Sequence, residues 1–229
     1  MRTRPHFALL CLAALLAAAI ALVAIFAAPS DHDDGSSSPS PSSSSSGSQP
    51  TSSSGFYGAA IPPSPPAPGF TLTDQDSRAV SLGSVRGHVT VLAFLYSTCG
   101  ATCVLIAQQI RGALDELPHP VPVLILSADP TADTPASVAR FLTQVSLAGR
   151  VRYLTGSAAQ LRPIWHAYRV HPATVSRAAF DRFAFLLLLD ARGRERVLFE
   201  PEVLTPEALA HDIRKLQVEA QTPECSACG

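Results

Sequence analysis

Two cysteines, Cys99 and Cys103, have the residue type and spacing in this chain that best suit chemistry. They follow a compact apolar and β-branched run, residues 89–95, which predicts a buried strand. Their i, i+4 spacing would place both sulfurs on one face of the helix predicted next, about one turn apart. Because a helix N-terminus favours negative charge, it also favours thiolates. Two such thiolates can bind a soft ion such as Cu(I) or close into a disulfide.

The same pair has plainer interpretations. The two cysteines could be buried and inert in a core, or they could form a permanent disulfide. In sheets with parallel strands, however, ligands and chemistry collect at the carboxyl ends of the strands, which is where this pair is predicted to lie. Position and spacing therefore favour a functional interpretation, in which Cys99 and Cys103 are a redox pair or a metal-binding pair.

A second pair, Cys225 and Cys228, forms a Cys-x-x-Cys motif on the short polar tail, residues 220–229. This pair could form a disulfide, collect Cu(I) or exchange with the first pair. An idle local disulfide is the alternative interpretation.

Residues 1–28 are predicted to be a signal anchor, that is, a single transmembrane helix. Arg2 and Arg4 precede an uncharged apolar run, residues 7–28, which is long enough to cross the hydrocarbon core of a bilayer. Basic residues before the run place the N-terminus in the cytoplasm and everything after it on the extracytoplasmic side of the cell membrane. Cys11 would then be a membrane-buried thiol. A cleaved signal peptide is the alternative.

The remaining chain divides by composition into a linker and a domain. Residues 29–68 are rich in Ser and Pro with little to bury, and we expect a disordered tether. Residues 69–219 alternate strand and helix patterns and end in a hairpin and a helix, which predicts an α/β domain with a central sheet of parallel strands and an antiparallel edge. The predicted strands are 89–95, 122–127, 151–154, 183–189 and 196–199, and the predicted helices are 99–117, 135–145, 157–168 and 205–216.

Composition and motifs exclude several classes of function. The formal net charge is −1 and no cluster of Lys and Arg occurs, which argues against a nucleic-acid partner. The sequence contains neither the Gly-x-Ser-x-Gly pattern of a serine hydrolase nor a glycine pattern for dinucleotides or phosphates. The cysteines thus remain the strongest candidates for chemistry.

In this context the chain resembles the Sco/SenC family, whose members are membrane-anchored, thioredoxin-like copper proteins that help to assemble the copper centre of cytochrome c oxidase. The resemblance covers about residues 56–216. It implies a thioredoxin-like central mixed sheet flanked by helices, and copper held by Cys99 and Cys103. The motifs that carry it are Gly69–Asp74, Val80–Leu82, Phe94–Cys99 with Cys103, Ser127–Pro135, Leu154–Gly156 and Asp190–Gly193.

The chain departs from the family beside its cysteines, where Gly100 and Val104 replace the Pro residues that the family often has, and at one ligand position. The family implies a third copper ligand, a His just before the penultimate strand, and the matching residue is Arg182. An arginine offers no lone pair to a metal, so the resemblance implies Cu(I) on Cys99 and Cys103 and makes a Cu(II) site doubtful. His171 could fold over the site as a substitute, although a surface loop position is the alternative. Asp181 adjoins the vacant position, but a hard carboxylate suits Cu(I) poorly.

Two functions therefore compete. The first is a membrane-tethered extracytoplasmic metallochaperone for a respiratory oxidase, whose partner would be an oxidase subunit or a thiol-containing copper protein. The second is a thiol–disulfide oxidoreductase acting on cysteines of a partner protein, although such enzymes typically carry Cys-x-x-Cys. A family member that only docks to a partner is a third, weaker alternative.

Overall fold

The computed structural model describes residues 54–62 and 65–221. The predicted signal anchor, most of the predicted linker and the tail pair Cys225 and Cys228 lie outside the described residues. Within the described ranges, no helix combines the length and the apolar character needed to span a bilayer.

The described residues form eight strands and five α-helices, together with a short 3₁₀ helix at Leu82–Val85. The strands are β1 (Ala59–Ala60), β2 (Thr71–Thr73), β3 (Ala79–Ser81), β4 (Thr90–Leu95), β5 (Val123–Ser127), β6 (Arg152–Leu154), β7 (Leu186–Leu189) and β8 (Glu195–Phe199). The helices are α1 (Ala101–Glu116), α2 (Pro135–Gln144), α3 (Ala158–Ala167), α4 (Arg177–Arg182) and α5 (Pro206–Gln221).

A mixed sheet in the order β1-β8-β7-β4-β5-β6 forms the centre of the domain. Strands β4, β5 and β6 pair in parallel, and β7, β8 and β1 continue the sheet with antiparallel pairing. Every residue of β4 is buried, because α1, α2 and α5 cover one face of the sheet and α3 with the β2–β3 hairpin covers the other. The predicted mixed α/β architecture is therefore confirmed. Its antiparallel part comprises three strands, β7, β8 and β1.

The folded domain begins before residue 69, where the sequence predicted its boundary. Phe56 is buried in the core, and β1 extends the sheet by pairing with β8. The buried carboxylate of Asp212, on α5, accepts hydrogen bonds from the backbone N–H groups of Tyr57 and Gly58 at 3.0 Å. Because these contacts satisfy the backbone, the last part of the predicted linker is ordered.

The segment before β7 also differs from the prediction. Residues 183–185, predicted as the start of a strand, lie outside β7, and α4 precedes them. The hydroxyl of Ser176 caps α4 by accepting a hydrogen bond from the backbone N–H of Ala179 at 3.1 Å. A helix of six residues is too short to reveal itself by hydrophobic periodicity.

The turn between β7 and β8 depends on Asp190, whose buried carboxylate accepts hydrogen bonds from Arg192 N, Arg194 N and Arg194 Nε, each at 2.9 Å. Burial raises the pKa of Asp190, but these hydrogen bonds and the Arg194 charge outweigh it and leave the pKa below its ordinary value. A lowered folded-state pKa contributes stability above the unfolded pKa of about 3.9, and this contribution is lost as the pH falls through the folded value.

We therefore expect Asp190→Asn to lower the free energy of unfolding at pH 7 by about 1–3 kcal/mol. The difference from the unsubstituted chain should shrink as the pH falls from about 4 through the lower folded-state pKa, below which the carboxylate is protonated in both states. Urea unfolding at a series of pH values measures it. Asp76→Asn, at an exposed ion pair with Arg78, is the control and should have little effect. A difference that stays constant down to acidic pH would contradict the assigned role of the charge.

Candidate copper and redox site

The cysteine pair lies where β4 gives way to α1. Helix α1 begins at Ala101 with Gly100 as its N-cap, so Cys103 is in the first turn of the helix and Cys99 is in the loop before it. The prediction that both cysteines belong to one helical face is therefore wrong for Cys99. A turn brings Cys99 back to the helix, because its backbone N–H donates to the carbonyl oxygen of Tyr96 at 3.1 Å.

A disulfide joins Cys99 to Cys103, with their Cα atoms 5.7 Å apart. The two sulfurs differ in accessibility. Cys103 is 0% exposed within the core, whereas Cys99 is only partly buried and packs against the same core from its edge. A partner that approaches this edge of the sheet therefore meets Cys99 first.

Helix α4 packs against the loop that carries Cys99. The rings of Phe180 and Tyr96 meet edge to face with their centroids 5.1 Å apart, and the Arg177 guanidinium lies 5.7 Å from the centroid of Tyr96. Burial, followed by the nearby Asp181 carboxylate, raises the pKa of Tyr96, while Arg177 opposes the shift. The phenol is consequently a neutral group beside the cysteine loop at physiological pH.

Arg182, which occupies the family's histidine position, lies at the end of α4. Its guanidinium is 5.6 Å from the centroid of the Phe183 ring. The ring of His171 lies tilted against the same Phe183 ring, with centroids 4.9 Å apart. Both side chains line a groove of about 540 Å³ together with Glu200 and Glu202. The described residues that line this groove include neither cysteine, and His171 and Arg182 meet there on the ring of Phe183.

A second groove, of about 490 Å³, lies beside the first turn of α1. Its lining combines Thr102 and the partly exposed Leu105 with the carboxylates of Asp181 and Glu202. Asp181 thus faces the helix that carries Cys103. Across the described ranges, no three His, Cys, Asp or Glu side chains are grouped closely enough to hold a metal ion.

Asp133 belongs to the motif Ser127–Pro135, but no functional role for it is predicted from the sequence. Thr134, not Asp133, caps α2, and Asp133 instead is buried beneath the cysteine loop. Burial raises the pKa of Asp133, and hydrogen bonds from Ser127, Ser97 and Tyr153 oppose this rise. One signal in the sequence could have revealed this role. The motif contains a second acidic residue, Asp133, although Thr134 alone is enough to cap α2.

Fold and site together define a thioredoxin-like α/β domain with a cysteine pair at the carboxyl edge of its sheet. The chain belongs to the SCO1/SenC family, whose family model matches residues 59–217. The resemblance predicted from the sequence motifs is thereby confirmed.

Individual relatives agree with this assignment. The mitochondrial SCO2 homolog of Bos taurus is 32% identical over 109 residues, which are 44% of this chain and 40% of the bovine protein. The structure of ScoI from Bradyrhizobium japonicum with copper bound shares 26% identity at a TM-score of 0.51 and covers 66% of this chain and 99% of that one. Yeast Sco1 with copper bound has the same fold, with 18% identity and a TM-score of 0.57 over 70% of this chain and 97% of that one.

Proposed function

We propose that the chain is a copper metallochaperone that carries Cu(I) on the reduced pair Cys99 and Cys103 to a respiratory oxidase. One observation carries the proposal: two cysteines with Cα atoms 5.7 Å apart lie at the carboxyl edge of the sheet of a SCO1/SenC domain, and one of them reaches the surface. This separation lets two sulfurs converge on one ion. Thiolates are the soft ligands that Cu(I) prefers.

Loading requires that the disulfide first be reduced. A dithiol reductant would supply two electrons and two protons, would become a disulfide itself, and would leave two thiols at Cys99 and Cys103. The thiols lose their protons when they bind the metal. Because Arg182 replaces the histidine that the family resemblance implies, the donor set suits Cu(I) better than Cu(II).

Delivery requires a protein partner and a location. Structures similar to this chain include Sco proteins with copper bound, which supports copper as cargo, and the family resemblance favours an oxidase subunit or a thiol-containing copper protein as recipient. The groove beside α1, with Leu105, Asp181 and Glu202, is the surface that such a partner would contact. The apolar run within residues 1–28 supports an extracytoplasmic domain held at the cell membrane by a single span.

The test is an anaerobic titration of the reduced full chain with Cu(I) in competition with a chromogenic chelator. We expect about one equivalent of tightly bound Cu(I) that disappears in the variant Cys99→Ser/Cys103→Ser. The variant Cys225→Ser/Cys228→Ser is the matched control, because it removes the other cysteine pair and should leave this equivalent in place. Copper that follows the tail pair, or no stoichiometric copper at all, would refute the proposal.

A thiol–disulfide oxidoreductase is the second candidate, and the unequal exposure of the two sulfurs favours it. In the reduced chain the more accessible Cys99 thiolate would attack a partner's disulfide and release one partner thiol. The Cys103 thiolate would then displace the second partner sulfur, so that Cys99 and Cys103 are oxidised and the partner is reduced. Cys103→Ser should trap the mixed disulfide at Cys99, and mass spectrometry of non-reduced complexes detects it. Cys99→Ser should trap none, since the remaining thiol is buried.

A further inference from the structure

A buried hydrogen-bond network lies under the cysteine loop and is centred on the carboxylate of Asp133. One oxygen, Oδ1, accepts a hydrogen bond from the backbone N–H of Ser97 at 2.6 Å. The other, Oδ2, accepts from the hydroxyl of Ser127 at 2.5 Å and from the hydroxyl of Tyr153 at 3.0 Å. Hydrogen bonds to a charged acceptor are about twice as strong as neutral ones, and here solvent is excluded from them.

Ser97 is tied to the same region a second time. Its hydroxyl contacts the hydroxyl of Ser137 at 2.9 Å and the carbonyl oxygen of Ala132 at 3.3 Å. Ser97 is two residues before Cys99 in the chain. It lies within the turn that the hydrogen bond from Cys99 N–H to the carbonyl oxygen of Tyr96 closes. Both the backbone and the side chain of Ser97 are therefore fixed to the loop between β5 and α2 and to the first turn of α2.

We infer that Asp133 is a positioning residue that holds Cys99 beside Cys103 whether or not the disulfide is formed. Helix α1 fixes Cys103, which is buried, but Cys99 lies outside the helix and needs another support. The bond from Ser97 to Asp133 supplies it. The inference deepens the proposed function and rests on it, since a pair that loads Cu(I) must be reduced and must keep its thiols together.

The consequence is chemical. When glutathione disulfide oxidises the two thiols, the protein disulfide forms and two glutathione thiols are released. The equilibrium constant of this reaction rises with the effective concentration of one cysteine thiol near the other, because a loop that is already ordered loses less entropy on closure. Without Asp133 the loop would be freer in the reduced chain, and the disulfide would form less completely.

Asp212 provides a matched comparison. Its carboxylate is buried, like that of Asp133, and accepts hydrogen bonds from backbone N–H groups, here those of Tyr57 and Gly58. These contacts hold the N-terminal segment on α5 and do not involve the cysteine loop. Loss of either carboxylate should destabilise the fold, but only loss of Asp133 should change the chemistry of the pair.

The experiment measures the dithiol–disulfide equilibrium of the full chain in glutathione buffers, with Cys225→Ser/Cys228→Ser as the common background. We expect Asp133→Ala to lower the equilibrium constant for disulfide formation about tenfold, which corresponds to a reduction potential about 30 mV less negative. Asp133→Asn should lower it less, because its amide oxygen can still accept from Ser97. Asp212→Ala should leave it unchanged within about twofold, although it lowers the unfolding midpoint.

Asp133→Asn is the alternative variant if Asp133→Ala does not fold. Ser97→Ala keeps the backbone bond to Asp133 and removes only the hydroxyl contacts of Ser97 with Ala132 and Ser137, so it measures that second attachment separately. It should lower the same constant about threefold. An unchanged constant in the folded variants, or an equal change in Asp212→Ala, would overturn the inference. Copper is absent from this measurement, so its failure is distinct from failure of the Cu(I) titration.

Discussion

Replacing Arg182 by His is expected to tighten Cu(II) binding by at least about 100-fold, since even the outer-shell partners of metal ligands are worth about 10–100-fold in affinity. A neutral imidazole offers the lone pair that a guanidinium lacks, and it removes a positive charge that would repel the cation. Position 182 follows Asp181, which faces the first turn of α1, and Phe180, which packs on Tyr96. The side chain there is therefore close, in the chain, to groups that contact the cysteine loop.

The measurement is a titration of the reduced full chain with Cu(II), followed by the visible absorption of a thiolate–Cu(II) complex. Arg182→Gln is the control, because it removes the charge without adding a ligand. A strong new absorption band in Arg182→His alone would show that the histidine pocket persists and that only its ligand was exchanged. Equal behaviour of the two variants would show that position 182 does not face the pair.

Replacing Phe180 by Ala is expected to lower the free energy of unfolding by about 3–5 kcal/mol. The side chain is 2% exposed, belongs to the core and makes the ring contact with Tyr96. Its removal leaves a cavity under the short helix α4, which has few other contacts to compensate. Urea unfolding of the full chain, with an unchanged m-value, measures the loss.

Phe183→Ala is the matched control, because it deletes the same side chain three residues later in the same segment. Phe183 is 52% exposed, so its loss should cost no more than about 1 kcal/mol. A similar cost for both substitutions would contradict the anchoring role of Phe180. If that role is correct, Phe180→Ala should also weaken the Cu(II) binding gained by Arg182→His, because α4 would no longer hold position 182 in place.

The sequence predicts the centre of the fold well because its elements are long and strongly patterned. The fully buried strand β4 and the helices α1 and α5 each follow a clear apolar pattern, and the family motifs locate Cys99 and Cys103 at the end of β4. Short elements escape such patterns. Strand β1 has only two residues. It is held in place by its pairing with β8 and by the hydrogen bond from Gly58 N–H, just before it, to the carboxylate of Asp212.

The support of the site could not be predicted for a different reason. Two of the three hydrogen-bond partners of Asp133 are distant in sequence, Ser97 by 36 residues and Tyr153 by 20. No local pattern relates residues at such separations, and an acidic residue before Thr134 and Pro135 looks like part of a helix start. The position of Cys99 outside α1 could not be predicted either. It depends on the exact start of the helix, which is set by Gly100 as the N-cap residue.

The attachment of the N-terminal segment has a mechanical consequence. A force that pulls on the chain before residue 54 would act first on three contacts of this segment. These are the packing of Phe56, the backbone hydrogen bonds to Asp212 and the pairing of β1 with β8. These contacts would bear the load first, because they are the first that the described chain makes with the domain. Strand β1 pairs with β8 at Ala59 and Ala60, and Ile61 N–H adds a bond to the carbonyl oxygen of Arg196 at 2.8 Å. Strands β4 and β7 lie further inside the sheet, so the domain can tolerate tension on its leading segment while the cysteine loop stays undisturbed.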